Sequence, residues 1–130
     1  KISKNVSDAI KLLKFGAPLN LIVLAFIIYL GPKAGAYHWA FFAVSSVFLS
    51  LTQPAVGMAF SLSNAGKALT SFNLLLFVGA FVLQWVIGIL IDYSMGLGFS
   101  EIISFKVAMM FFLITSFFSY LFFLIKNYKN

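Results

Sequence analysis

Long stretches without a single charged residue are the strongest constraint on how this 130-residue chain folds. They cover residues 15–32, 34–66, 68–91 and 107–125. Each can hold a helix of about 20 residues, which is enough to cross roughly 30 Å of hydrocarbon. Membrane strands would instead be segments of about 10 residues that alternate in polarity, and these stretches do not alternate. The pattern predicts an all-α membrane protein with four transmembrane helices.

The composition favours lipid as the surroundings of most of the chain. Hydrophobic residues make up 62% of it and charged residues only 9%, whereas soluble domains average about 25% charged residues. Cysteine is absent, which excludes disulfides and thiolate metal sites. We predict one membrane unit over residues 1–130. Its expected spans are residues 11–30, 39–62, 68–91 and 103–125, with turns at 31–35 and 63–67.

The lysines predict the orientation of these spans. One side of the predicted bundle carries Lys1, Lys4, Lys11, Lys14, Lys67, Lys126 and Lys129. The other side has only Lys33 and Lys106, with Asp92 and Glu101 beside them. Because lysine-rich ends stay in the cytoplasm, both termini are expected there, most simply at a bacterial inner (plasma) membrane. The charges lie at helix ends rather than on one face, so nucleic acid is not an expected partner.

Polar residues within the second span lie on one helical face. Ser46, Ser50, Gln53 and Gly57 follow one another at steps of three or four. Pro54 is next to Gln53 and predicts a kink, because proline lacks an N–H and its ring clashes with the carbonyl four residues earlier.

The third span has a matching pair in Asn73 and Gln84, which are close to three turns apart and point the same way. Such residues either line a cavity or pack helices together, and the sequence leaves both interpretations open. The simpler prediction is that spans two and three face an interior cavity. Spans one and four would then face lipid, since the first has only Asn20 inside it, and small hydroxyls in the fourth can bond their own backbone.

The residues give no sign of an enzyme or of a bound cofactor. His38, the only histidine, lies between Tyr37 and Trp39 at the expected outer interface. One histidine and three scattered acids do not form a metal site, and neither a nucleophile–base pair nor a glycine-rich phosphate loop is recognisable. We therefore predict no catalytic residue, no metal and no cofactor.

The segment AGKALTSFNLLLFVGAFVLQWVIGILID, residues 65–92, resembles a known pattern. It is similar to the eleventh helix of bacterial major facilitator superfamily transporters, together with the basic turn before that helix. Helices of this kind combine a Gly-Lys or Gly-Arg turn, an Asn, a glycine-rich middle and a Gly-x-x-x-Asp ending. The residues that match are Gly66, Lys67, Asn73, Gly79, Gln84, Trp85, Gly88 and Asp92.

The resemblance implies that the four spans correspond to helices nine to twelve. Helix ten of such transporters lines a central cavity, helix eleven flanks it, and helices nine and twelve lie outside. The chain would then be the C-terminal part of a longer secondary active transporter, which moves a small solute by alternating access. Its expected partners are the bilayer, the remaining helices and an unidentified solute. No substrate-binding residue can be carried over, and the family's loop between helices eight and nine has no match before Asp8.

Two other functions remain open at this stage. An accessory or assembly subunit would use the same Gly and Ser residues for helix packing and would transport nothing. A four-helix multidrug exporter acting as a dimer would need a buried glutamate in its first span, and residues 15–32 contain no carboxylate.

Overall fold

The structure, a computed structural model, describes residues 4–128 and the side chains of residues 6–127. It is 93% helical, without strands in that range. The helices are α1 (Lys4–Leu30), α2 (Ala36–Ser50), α3 (Thr52–Ala59), α4 (Leu62–Gly96) and α5 (Glu101–Tyr128). Because α2 and α3 together make one span, the described residues form four helical segments long and apolar enough to cross a membrane. The predicted all-α fold class with four spans is confirmed. Lys1 and Lys129 lie outside the described residues.

A short 3₁₀ helix, Gly31–Lys33, forms the turn between the first two spans. Gly31 has φ +55°, a left-handed conformation that favours glycine. The N–H of Ala34 bonds the carbonyl of Gly31 at 3.0 Å. At the start of α2, Nδ1 of His38 accepts a hydrogen bond of 3.2 Å from the N–H of Gly35. This histidine therefore satisfies a backbone donor at a helix start.

The second connection is shorter than the sequence indicates. Residues 63–67 were expected to form a turn, but α4 begins at Leu62. The chain reverses at Phe60 and Ser61, whose backbones are extended. The carbonyl of Ser61 accepts the N–H groups of Asn64 and Ala65 at 2.9 and 2.8 Å, which begins the helix. The turn was predicted because Asn64 and Gly66 are residue types that favour turns. Both also occur in the first turns of helices, so the predicted start of the third span was wrong.

The four spans form a ring in which each contacts the next. The first span, α1, contacts α2, α3 and α5, and α4 contacts α3 and α5. Across the ring the backbones stay apart: within the described residues, α1 does not approach α4, and neither α2 nor α3 approaches α5. This arrangement leaves space between the helices at its centre.

The first span is the most buried, which differs from the expectation that it faces lipid. In its most apolar stretch 39% of the residues are buried, compared with none in the corresponding stretch of α4. Leu24 and Ile27 are only 1% and 4% exposed. Helix α1 is in close contact with α2 at Gly16, where an added Cβ would collide with the side chain of Phe48. An apolar helix carries little information about which side packs inward, so the scarcity of polar residues in this span was misleading.

Candidate functional site

A cavity of about 600 Å³ lies inside the ring. It runs between α1, α2 and α5, and Thr52 of α3 and Leu83 of α4 also contribute to its wall. Most of its lining is apolar. The polar lining residues are Asn20, Ser46, Thr52, Thr115, Ser116, Ser119 and Tyr120. This volume, with a mainly apolar wall and a few polar groups, is typical of sites for small molecules.

Asn20 is the most deeply placed polar residue of the cavity, at 6% exposure. Its amide Nδ2 donates to the hydroxyl oxygens of Ser45 and Ser46, at 2.9 and 2.8 Å. Both hydroxyls donate their own protons to the carbonyl of Phe42, each at 2.8 Å. Because those protons are used, the hydroxyl oxygens act as acceptors towards Asn20. This network joins α1 to α2 and fixes which end of the Asn20 amide faces the serines.

The α5 wall contributes four hydroxyl groups. That of Thr115 bonds its own helix, at the carbonyls of Phe111 and Phe112. Ser116 and Ser119 form no side-chain hydrogen bond to the described residues, so their hydroxyls are available to a ligand. The hydroxyl of Tyr120 donates a 2.8 Å hydrogen bond to the carbonyl of Lys14 in α1. Tyr120 therefore closes one edge of the cavity between α1 and α5.

The second span is interrupted at Leu51, beside the cavity wall. Helix α2 ends at Ser50, the residue four before Pro54, where the proline ring clashes and a backbone donor is missing. The N–H of Leu51 bonds the carbonyl of Phe48 at 3.4 Å, a tighter turn than that of an α-helix. The hydroxyl of Thr52 donates to the carbonyl of Leu49 at 2.7 Å. Local hydroxyl bonds thus replace part of the regular helical pattern at the interruption.

The candidate polar face of the second span is divided by this interruption. Ser46 lines the cavity, whereas Ser50 is exposed and its hydroxyl bonds the carbonyl of Val47 at 2.6 Å. Gly57 lies against α4, where an added Cβ would be 3.3 Å from Leu69. Of the six candidate cavity residues, only Ser46 borders the central cavity.

Gln53 and Asn73 are brought together across α3 and α4. Nε2 of Gln53 donates to Oδ1 of Asn73 at 3.3 Å, and neither residue lines the central cavity. Gln84, on the same side of α4 as Asn73, is exposed and forms no side-chain hydrogen bond with the described residues. The structure therefore joins two of the three long polar side chains and leaves the third open to the surroundings.

Charged groups are absent from the described lining of the central cavity. A second cavity, of about 610 Å³, lies near the opposite ends of α1 and α5 and includes Glu101 and Lys106 in its wall. There, Nζ of Lys106 approaches the carbonyl of Tyr29 at 3.5 Å, at the C-terminal end of α1. A cation favours that end of a helix dipole. This lysine therefore has a structural partner.

Sequence reasoning missed Asn20 and Tyr120 as cavity residues. One signal was present: Pro18 lies four residues after Lys14 and leaves its carbonyl without the usual helical partner. A buried carbonyl in that state needs another donor. Which side chain donates to this carbonyl depends on the rotation of α5 about its axis, and that rotation could not be predicted from the sequence.

Comparison with known proteins gave no match: no protein family, curated protein or solved structure is significantly similar to this chain. The four apolar helices indicate an integral membrane protein.

Proposed function

We propose that this chain is part of a secondary active transporter of the major facilitator type, which moves a small solute across the membrane by alternating access. The observation that carries the proposal is the interruption of the second span at Leu51, beside a mainly apolar cavity with a few polar groups in its wall. In secondary transporters, solute sites near the membrane midplane are commonly built from discontinuous helices of this kind. The pair Gln53 and Asn73 lies just beyond the same interruption and links α3 to α4.

The outer side of α4 supports the presence of further transmembrane helices beside this chain. Gln84 is exposed in the stretch of residues 74–91, which is otherwise apolar, and an uncovered amide in lipid is costly. Gly88, one turn further along the same side of α4, has open space where a Cβ would be, which permits another helix to approach closely. We place both termini of the chain in the cytoplasm of a bacterial cell, with its helices in the inner membrane, because of the lysine distribution.

Transport is tested with the protein in its natural full-length reading frame, reconstituted into liposomes. We expect uptake of at least one solute from a mixture of small metabolites, with loss of that uptake when the ion gradient is collapsed. Gln53→Ala and Asn73→Ala should lower the rate, whereas Ser71→Ala, on the exposed side of α4, should not. Absence of uptake for every solute would contradict the function. Unchanged kinetics in both variants would remove Gln53 and Asn73 from the transport path.

An accessory subunit that assembles with other membrane proteins is the second candidate, and exposed Gln84 is the observation that favours it. Such a subunit would bind its partner through α4 and leave the central cavity without a role. Gln84→Leu should then abolish co-purification of the partner, while cavity substitutions should have no effect on cell physiology.

A further inference from the structure

The carbonyl oxygen of Asn20 is the one deep polar atom of the central cavity without a described partner. Its amide nitrogen is committed to Ser45 and Ser46, so Oδ1 points away from both serines. Among the described residues, every buried side-chain nitrogen or oxygen without solvent-accessible surface has a hydrogen-bond partner. Oδ1 of Asn20 accepts no hydrogen bond from the described residues, so it must keep some accessible surface. Since Asn20 is 6% exposed and lines the cavity, the open side of Oδ1 is the cavity.

The rest of the wall restricts what can approach this acceptor. No described lining side chain is charged, so neither an anion nor a cation would find a counter-ion there. Leu24, Phe42 and Phe112 suit an apolar body. A purely apolar molecule would leave Oδ1 buried and unpaired, which costs roughly 1–3 kcal/mol. An uncharged molecule with a single donor group satisfies both conditions.

We propose that the central cavity binds an uncharged, mostly apolar molecule whose hydroxyl or amide N–H donates a hydrogen bond to Oδ1 of Asn20. The identity of this ligand as the transported solute rests on the proposed transport function, whereas its binding does not. Ser116, across the cavity on α5, supplies a second hydroxyl for a ligand with two polar groups.

Three related fluorescent probes separate the contributions of donor and charge. The full-length protein in nanodiscs is titrated with 1-hydroxypyrene, 1-methoxypyrene and pyrene-1-sulfonate. We expect saturable binding of 1-hydroxypyrene, about tenfold tighter than that of 1-methoxypyrene, because only the first can donate to Oδ1. The sulfonate should bind more weakly still. Equal affinities for the hydroxyl and methoxy probes, or only a non-saturable signal from partition into lipid, would overturn the proposal.

Variants locate the binding site. Asn20→Leu keeps the side-chain size and should reduce the affinity for 1-hydroxypyrene to that for 1-methoxypyrene. Ser116→Leu fills part of the cavity, leaves the Asn20 network intact and should weaken both probes. Ser71→Leu is the matched control on the exposed face of α4 and should bind as the natural protein does. If Ser116→Leu has no effect, the probe lies elsewhere and the assignment is wrong, even where Asn20→Leu fails to fold. Selective binding without any solute uptake would leave this proposal intact and contradict only the transport function.

Discussion

The hydroxyl of Tyr120 donates a hydrogen bond of 2.8 Å to the backbone carbonyl of Lys14, a residue 106 positions earlier in the chain. That carbonyl is the one that Pro18 leaves without a helical donor, because proline has no N–H and lies four residues further on. In lipid, an unpaired carbonyl costs several kcal/mol. Tyr120 therefore allows α1 to keep a proline in its interior and ties α5 to it.

Replacement of Tyr120 by phenylalanine should lower the free energy of unfolding by about 1 kcal/mol, because the Lys14 carbonyl loses its donor. The measurement is an SDS titration of the purified protein in mixed micelles. In a Pro18→Ala background the regular backbone bond can form again. There, Tyr120→Phe should cost much less, with a coupling of about 0.6 kcal/mol or more between the two sites. Tyr29→Phe, at an exposed tyrosine, is the control. Additive effects of the two substitutions would contradict this account of the proline.

Close contact between α1 and α2 at Gly16 gives a second prediction. Gly16→Ala places a methyl group against the side chain of Phe48. We expect a loss of about 1–3 kcal/mol, the usual cost of overpacking. Gly79→Ala is the matched control, since nothing lies within 4 Å of its added Cβ. That control should be neutral or stabilising, because alanine favours helix over glycine. Equal effects at both positions in the same SDS titration would show that the helices are not in contact at Gly16.

The sequence predicts the number of spans but not the rotation of each helix within the ring. Uncharged stretches of this length have one outcome in a bilayer, and the Gly31–Lys33 turn follows from glycine and proline at a span end. The rotation of α1 is different, because this helix is apolar on nearly every side and no face stands out. Asn20 then looked like an isolated polar residue, although it faces Ser45 and Ser46 of α2.

The candidate site shows the same limit. The steps of four and three residues between Ser46, Ser50 and Gln53 predict one face only if the helix is continuous, and the interruption at Leu51 removes that condition. Pro54 was the one residue of this face region that predicted an irregular helix. The bond between Gln53 and Asn73 joins residues 20 apart, and its position outside the cavity depends on how α3 meets α4. Such a packing angle is set by the tertiary contacts of the two helices, which a one-dimensional pattern does not contain.

The proposed orientation is testable with single cysteines, since residues 1–130 contain none. Tyr37→Cys and Asn64→Cys are placed at exposed positions on opposite sides of the predicted membrane. Because lysine-rich ends remain in the cytoplasm, a membrane-impermeant maleimide added to intact cells should label only Tyr37→Cys. In inverted vesicles the labelling should reverse. Labelling of Asn64→Cys in intact cells would contradict the proposed orientation and indicate the opposite one.

Pro54 should be the cause of the interruption in the second span. In Pro54→Ala, a new N–H can bond the carbonyl of Ser50, so α2 and α3 should merge into one helix. Spin labels at Val44→Cys and Met58→Cys, both exposed positions, report on this change by pulsed electron resonance in nanodiscs. In a continuous helix their backbones are about 21 Å apart. The distance distribution of Pro54→Ala should narrow and move towards that value, whereas Pro18→Ala, in another helix, should leave it unchanged. If Pro54→Ala keeps the original distribution, the hydroxyl bonds of Ser50 and Thr52 maintain the interruption, and their alanine variants should then close it.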